Sequence, residues 1–183
     1  LLQWRVRALA ARTRELESVV ALRTHDLVVA RDQLQRLATE DALTGIPNRR
    51  KFEEIAGHEW RRAQREGHRF SLAMLDVDYF KRYNDQNGHV AGDRLLQALA
   101  KLVQDNLRRN TIFGRYGGEE FLIVFPDTKR DQAMAAAENI RAAIAAYPFA
   151  HAAGQPLGYV SISGGVAECP LDGRNAIGLV RAA

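Results

Sequence analysis

The sequence of 183 residues holds a single cysteine, Cys169, five prolines, and only four lysines among its 26 basic residues. A lone cysteine makes no internal disulfide, so nothing in the chain calls for an oxidising compartment. No apolar run approaches the roughly 18 residues that a membrane helix needs. A charged fraction of 26% beside 46% hydrophobic residues fits a folded chain better than a disordered one. The basic excess is thin as well. Residues 1–40 carry seven Arg against five acids, and residues 41–183 nineteen bases against seventeen acids, +2 in each part. With no block of like charge, no nucleic-acid partner is expected, while a local anionic ligand stays open. Glycine and proline are both missing before Gly45. Nothing there breaks a helix.

What fills that stretch is a seven-residue repeat. Val6, Thr13, Val20, Leu27 and Leu34 form one series, and Leu2, Leu9, Leu16, Arg23, Ala30 and Leu37 the other. Nine of the eleven positions are apolar, and a 3.5-residue period keeps such a seam turned toward a partner helix. About 40 residues at about 1.5 Å each are longer than a domain of this size covers. Residues 1–40 are therefore expected to be a coiled-coil dimerisation and signalling helix, with Arg23 a weak joint in its seam. The alternative is an amphipathic helix packed on its own domain.

The repeat stops at Thr39-Glu40-Asp41, where Gly45, Pro47 and Asn48 end one helix and cap the next, expected over 48–66. Residues 70–78 read as a buried strand running into acids, 79–85 as a short helical turn, and 91–108 as a helix. Two β-runs then flank Gly117-Gly118, a hairpin signal if both glycines take positive φ. A helix over 129–146 and a strand over 159–167 complete the order αβαββαβ. The class is α+β: an antiparallel-rich sheet with helices to one side.

The acids carry the chemistry. Asp76 and Asp78 close a buried strand, and Glu119 and Glu120 leave the tip of the expected hairpin. If those strands pair, carboxylates meet with no Lys or Arg between them and repel unless a cation bridges them; hard oxygen ligands suit Mg²⁺ or Mn²⁺. Tyr79-Phe80-Lys81 follow directly, and their turn could aim backbone N–H groups and one ammonium at phosphate oxygens. Glycines at 117 and 118 let a bulky ligand approach the main chain. On spacing alone two readings stand: metal-assisted phosphoryl transfer, or acids that merely cap a strand and a hairpin.

Three motifs occur in order: Asp41-x-Leu43-Thr44-Gly45-x-x-Asn48-Arg49-Arg50, then Asp76-Val77-Asp78-x-Phe80-Lys81-x-x-Asn84-Asp85-x-x-Gly88-His89-x-x-Gly92-Asp93, then Arg115-Tyr116-Gly117-Gly118-Glu119-Glu120-Phe121. Together they resemble the GGDEF-domain diguanylate cyclases, in the GGEEF form, over residues 39–183. The resemblance implies a nucleotidyl-cyclase or polymerase-palm-like fold with flanking helices over 41–183. The activity implied is condensation of two GTP into cyclic di-GMP with release of two pyrophosphates, across a homodimer joined by the coiled coil. It assigns Asp76, the Val77 carbonyl and Glu119 to two Mg²⁺ or Mn²⁺ ions per site, Glu119 or Glu120 to the proton, and Lys81 to the triphosphate. Phe80, Asn84, Asp93, Arg115, Gly117 and Gly118 are implied at the substrate, with Asn84 and Asp93 as guanine readers; His89 is read as structural. The alternatives are a catalytically silent module that binds GTP or cyclic di-GMP, and a dimerisation stalk whose globular part is a passenger.

Two departures qualify the match. The family's inhibitory site for its product uses Arg-x-x-Asp, where this chain has Arg108-Arg109-Asn110-Thr111, and a second arginine on the next helix corresponds to Asn139. Arg108 and Thr111 thus mark a degenerate site, with product inhibition expected to be weak or absent. The family also continues past a point like Arg181-Ala182-Ala183, so the last helix is expected to be missing. Because it opens on Leu1 and not Met, the chain is expected to be a piece of a longer protein. It is expected in the cytoplasm, where GTP is, with a sensory or membrane-anchoring domain open upstream.

Overall fold

The computed structural model describes the backbone of residues 2–173 and the side chains of Arg12 and residues 16–173. The contacts divide after Ala38. The first unit is one helix, α1 (Leu2–Thr39). Its described seam residues Leu16, Val20, Leu27, Leu34 and Leu37 are 58–73% exposed in the single chain.

The second unit begins with a tight reversal. The Asn48 N–H donates to the Thr39 carbonyl at 3.0 Å, and Glu40 bridges to Pro47. Asn48 then caps α2 (Arg49–Glu66), its side chain accepting from the Lys51 N–H at 3.0 Å; Gly67, at φ 66°, ends the helix in the left-handed region that favours glycine. Next come β1 (Phe70–Val77), α3 (Phe80–Asn87), α4 (His89–Asn106), β2 (Ile112–Arg115), β3 (Glu120–Pro126), α5 (Arg130–Ala146) and β4 (Ile162–Cys169). The sheet order is β2-β3-β1-β4, every neighbour antiparallel.

Side chains alternate across β1, and both faces are covered. Phe70 and Leu72 pack with Leu122, Val124, Ala167 and the α2 residues Phe52, Ala56 and Ala63. Ala73, Leu75 and Val77 pack with Phe121, Ile123, Phe113 and the residues of α3, α4 and α5. The α+β class and the element order are as expected. The expectation of helices on one side is corrected: α2 lies on one face and α3–α5 on the other, because a central strand apolar on both faces must be covered twice.

The expected hairpin is present, β2 pairing antiparallel with β3, but its turn is corrected. Gly117 and Gly118 are absent from the described residues with positive φ, and they do not form a two-residue turn. The loop is wider, with Tyr116 and Gly117 both donating to the Glu120 carbonyl at 2.9 and 3.3 Å. A Cβ at Gly117 would meet the tip of the Glu120 carboxylate, which would have to swing aside. Arg174, Asn175 and the expectation about a last helix lie outside the described residues.

Candidate active site

Strand register assembles the acids. Asp76 stands opposite Glu120 in the β1–β3 ladder, and the Val77 N–H donates to the Glu119 carbonyl at 3.3 Å. The hairpin tip is thereby tied to the end of the central strand. Partial burial, then the charges of Glu119, Glu120 and Asp78, push the Asp76 carboxyl above its ordinary 3.8. None of Asp76, Glu119 or Glu120 has a hydrogen bond or ion pair from its side chain among the described residues. Nor do their oxygens already converge on one cation position. The donor set is nonetheless all hard oxygen and all of one sign, which fits a divalent ion.

Beyond Val77 the chain turns sharply. Tyr79 is left-handed, at φ 57° and ψ 27°, and caps α3 without a side-chain bond. The first return bond of that helix runs from the Tyr83 N–H to the Tyr79 carbonyl at 3.0 Å. The N–H groups of Phe80 and Lys81 precede it and belong to the first turn, where helix amides lack internal acceptors. Lys81 is exposed beside them. On the same helix, Asn84 Oδ1 is buried with no hydrogen-bond partner among the described residues. It abuts Gly92 so closely that a Cβ there would collide with it. The next residue, Asp93, is exposed in the first turns of α4, one position beyond the glycine that Asn84 touches. His89 is exposed at the start of α4.

Arg115 is engaged inward. Its Nη1 meets Asp41 Oδ1 at 2.9 Å, while its Nε and Nη2 donate to the carbonyls of Gly117 and Gly118 at 2.7–3.2 Å. The same Asp41 oxygen accepts from the Thr44 N–H at 2.9 Å and the Thr44 hydroxyl at 2.7 Å. Burial pushes the Asp41 carboxyl upward, but the bonds from Thr44 and Arg115 outweigh it and hold the group below its ordinary value. The turn after α1 and the glycine loop are thus one structure, joined across 74 residues of sequence. Sequence reasoning placed Arg115 at the substrate and gave Asp41 only a place in a turn.

The matched family is the diguanylate cyclase GGDEF domain, over residues 38–183. The chain belongs to that family. It is 40% identical to the diguanylate cyclase DgcP of Pseudomonas aeruginosa over 161 residues, 87% of this chain and 23% of DgcP. The chain spans well under half the length of the curated relatives it matches. Among solved structures, the coiled coil and GGDEF domain of DgcB from Caulobacter crescentus, in complex with c-di-GMP, superposes with a TM-score of 0.78 at 28% identity. That match covers 91% of this chain and 88% of DgcB's. The active GGEEF domain of a Vibrio cholerae diguanylate cyclase gives a TM-score of 0.65 at 34% identity, covering 73% and 83%.

Away from the acids, Arg108, Thr111 and Asn139 of this GGDEF domain line one groove of about 490 Å³ between the β2–β3 end and α5. Arg108 and Asn139 are exposed, and the Thr111 N–H donates to the Arg108 carbonyl at 3.0 Å. Two residues that sequence reasoning never singled out, Ser161 just before β4 and Ser163 on it, donate to Asp78. Their only signal was the alternation of small polar residues in that strand.

Proposed function

We propose that this chain is the catalytic part of a diguanylate cyclase that condenses two GTP into cyclic di-GMP. In each half-reaction a 3′-hydroxyl oxygen of one GTP bonds to the α-phosphorus of the other. The bond from that phosphorus to pyrophosphate breaks, and the hydroxyl proton leaves to Glu119 or Glu120. Two such steps close the ring and release two pyrophosphates. The observation that carries the reading is the register of Asp76 against Glu120, which brings together at the end of the central strand carboxylates that have no side-chain hydrogen bond or ion pair among the described residues.

Asp76, the Val77 carbonyl and Glu119 would hold the divalent ions, Mg²⁺ or Mn²⁺ and two per site. When bound, these neutralise phosphate charge and ease loss of the hydroxyl proton. The chain's own groups do the rest. Lys81 and the first-turn amides of Phe80 and Lys81 receive the triphosphate as its charge redistributes. Asn84 and Asp93 read guanine: the carboxylate accepts from N1–H and the 2-amino group, and the unpartnered Asn84 oxygen calls for a donor. Adenine lacks that donor pair. Gly117 and Gly118 leave room for the nucleotide, and Arg115, beside it, fixes their carbonyls.

Each domain holds one GTP, so two must meet. The exposed apolar seam of α1 supplies the means: a parallel coiled-coil homodimer raises the effective concentration of one half-site for the other. Changes in that helix pair, driven from upstream, would then set activity. The domain works in the cytoplasm, where GTP is. No described helix is long and apolar enough to cross a membrane.

The test is incubation of purified chain with GTP and Mg²⁺, following cyclic di-GMP and pyrophosphate. Product from the wild type and none from Glu119→Ala supports the reading. Bound GTP without product would favour the silent module instead.

A further inference from the structure

Asp78 lies two residues beyond Asp76 and is treated differently. Both of its oxygens are taken: the Ser161 hydroxyl donates to Oδ2 at 2.6 Å and the Ser163 hydroxyl to Oδ1 at 2.6 Å. The Asp78 N–H donates to the Ser161 carbonyl at 3.0 Å. Hydroxyl–carboxylate bonds of this length are charge-assisted and strong. Ser163 stands opposite Asp76 in the β1–β4 ladder, yet its hydroxyl serves Asp78. A serine has one proton to give, so Asp76 is left without a donor from β4. One carboxylate carries no hydrogen bond among the described residues; the other is closed into a clamp by two hydroxyls, one on each oxygen.

The closed one sits where the chain needs holding. Tyr79, next in sequence, is in the left-handed region, its side chain is 56% exposed, and it makes no capping bond. A non-glycine residue keeps such a conformation only where its surroundings over-determine it. Three bonds joining Asp78 to Ser161 and Ser163 just before Tyr79, and the first turn of α3 just after, do so here.

We propose that Asp78 is a positioning residue and not a metal ligand. Clamped by Ser161 and Ser163, it sets the direction in which the chain leaves β1. It thereby sets the spacing between the Asp76 carboxylate with the Val77 carbonyl and the first-turn amides of Phe80 and Lys81. The purpose of that spacing rests on the cyclase reading; the clamp itself does not.

The experiment separates the two roles with Asp78→Asn, Asp78→Ala, Ser163→Ala, Ser163→Thr and the Ser161→Ala/Ser163→Ala double variant, all in the full chain. Asparagine keeps the shape, and its amide can accept from one hydroxyl and donate to the other, so a clamp tolerates it and a metal ligand does not. Amide hydrogen exchange over 78–82, without nucleotide, reads the clamp directly. The alanine variants at 78 and at both serines should exchange about tenfold faster there, and Asp78→Asn within about threefold of wild type. Mn²⁺ binding with α,β-methylene GTP, followed by electron paramagnetic resonance, should shift by less than about threefold in the serine variants while turnover drops about 30-fold from misplacement. Ser163→Ala alone, at an exposed position, covers the case in which the double variant does not fold, and Ser163→Thr should restore slow exchange. Weakened Mn²⁺ binding in Asp78→Asn, with unchanged exchange in the serine variants, would overturn the proposal. A wild type that makes no cyclic di-GMP would sink the cyclase reading and leave the exchange result to decide the clamp.

Discussion

Strand β1 begins and ends among carboxylates, and the two ends handle them differently. Beside Phe70, the first residue of β1, the buried Glu168 accepts from the Arg130 N–H at 2.9 Å and lies 3.5 Å from Arg69 Nη1. Asp172 accepts from the Glu168 N–H at 2.8 Å and meets Arg130 at 3.3 Å. Asp127 has His68 at 2.9 Å and Arg62 at 3.5 Å. Every acid there has a basic or N–H partner. At the far end, the charges of Glu119 and Glu120 add to burial in pushing the Asp76 carboxyl up, and none of the three side chains has a hydrogen bond or ion pair among the described residues; the charge of Arg49 reaches Glu120 without contact. Acids with partners hold the fold together. Acids kept together without partners cost stability, and their use lies outside the fold.

The largest effect expected from this contrast is a dissociation of activity from stability. Asp76→Asn should cost about 10³-fold in turnover of GTP with Mg²⁺, while its melting temperature stays level or rises because a repulsion is gone. Glu168→Gln should do the reverse, losing about 2 kcal/mol in denaturant unfolding with turnover per folded molecule unchanged. Equal losses of both quantities in both variants would erase the distinction between the ends.

Next in size is the coupling between the two units. Removing residues 1–38 should lower specific activity about tenfold or more at nanomolar protein and less at high concentration, since only the tether is lost. A truncated chain as active on dilution as the intact one would refute the role given to α1. Arg115→Ala follows, at about tenfold in turnover, because it frees the Gly117 and Gly118 carbonyls and leaves Asp41 without its guanidinium. Asp41→Asn should be milder than Arg115→Ala, and the double variant should cost little more than Arg115→Ala alone.

The same pair of aspartates gives opposite pH signatures. The folded pKa of Asp76 lies above its ordinary value, so the folded state holds that proton more tightly than the unfolded one. Its favourable share is present below about pH 4 and is lost as pH rises through the raised value. Without divalent ions, the melting advantage of Asp76→Asn over wild type should therefore grow from about pH 4 upward, and Mg²⁺ should narrow it. Asp41 is held below its ordinary value, so its contribution is present at neutral pH and fades on acidification. Asp41→Asn should thus converge with wild type at low pH.

Much of this end of the molecule was legible because its logic is local. An apolar run closing on Asp76-Val77-Asp78, and paired glycines followed by two acids, need only a shared sheet to meet, and the register Asp76 to Glu120 does that. The coverage of both sheet faces was also open to reading. Phe70, Leu72, Ala73, Leu75 and Val77 fill both sides of one strand, a pattern that asks for helices on each. The clamps were not legible. Arg115 finds Asp41 across 74 residues and Asp78 finds Ser161 across 83, distances over which composition and periodicity carry no register. The glycine loop misled for a different reason. Gly117 lies against the Glu120 carboxylate without reaching positive φ, and sequence alone does not tell such a glycine from one at a tight turn.

The smallest effect is expected in the groove of Arg108, Thr111 and Asn139. A guanine-rich dianion would need a cation on each side and an acid to accept from the base edge. Of those groups the groove has Arg108 and one acid, Asp127, which is already paired with His68 and Arg62; it has a hydroxyl at 111 and an amide at 139. One exposed guanidinium against a solvated phosphate contributes little. Titrating cyclic di-GMP into the turnover assay should therefore show weak inhibition at most, and Arg108→Ala should move the curve by less than about twofold. Restoring the missing groups by Thr111→Asp with Asn139→Arg should create inhibition that Arg108→Ala then abolishes. Strong inhibition in the unmodified chain that disappears with Arg108 would show that one cation suffices, and the contrast between acids that need partners and acids that do without them would have to be redrawn for cations as well.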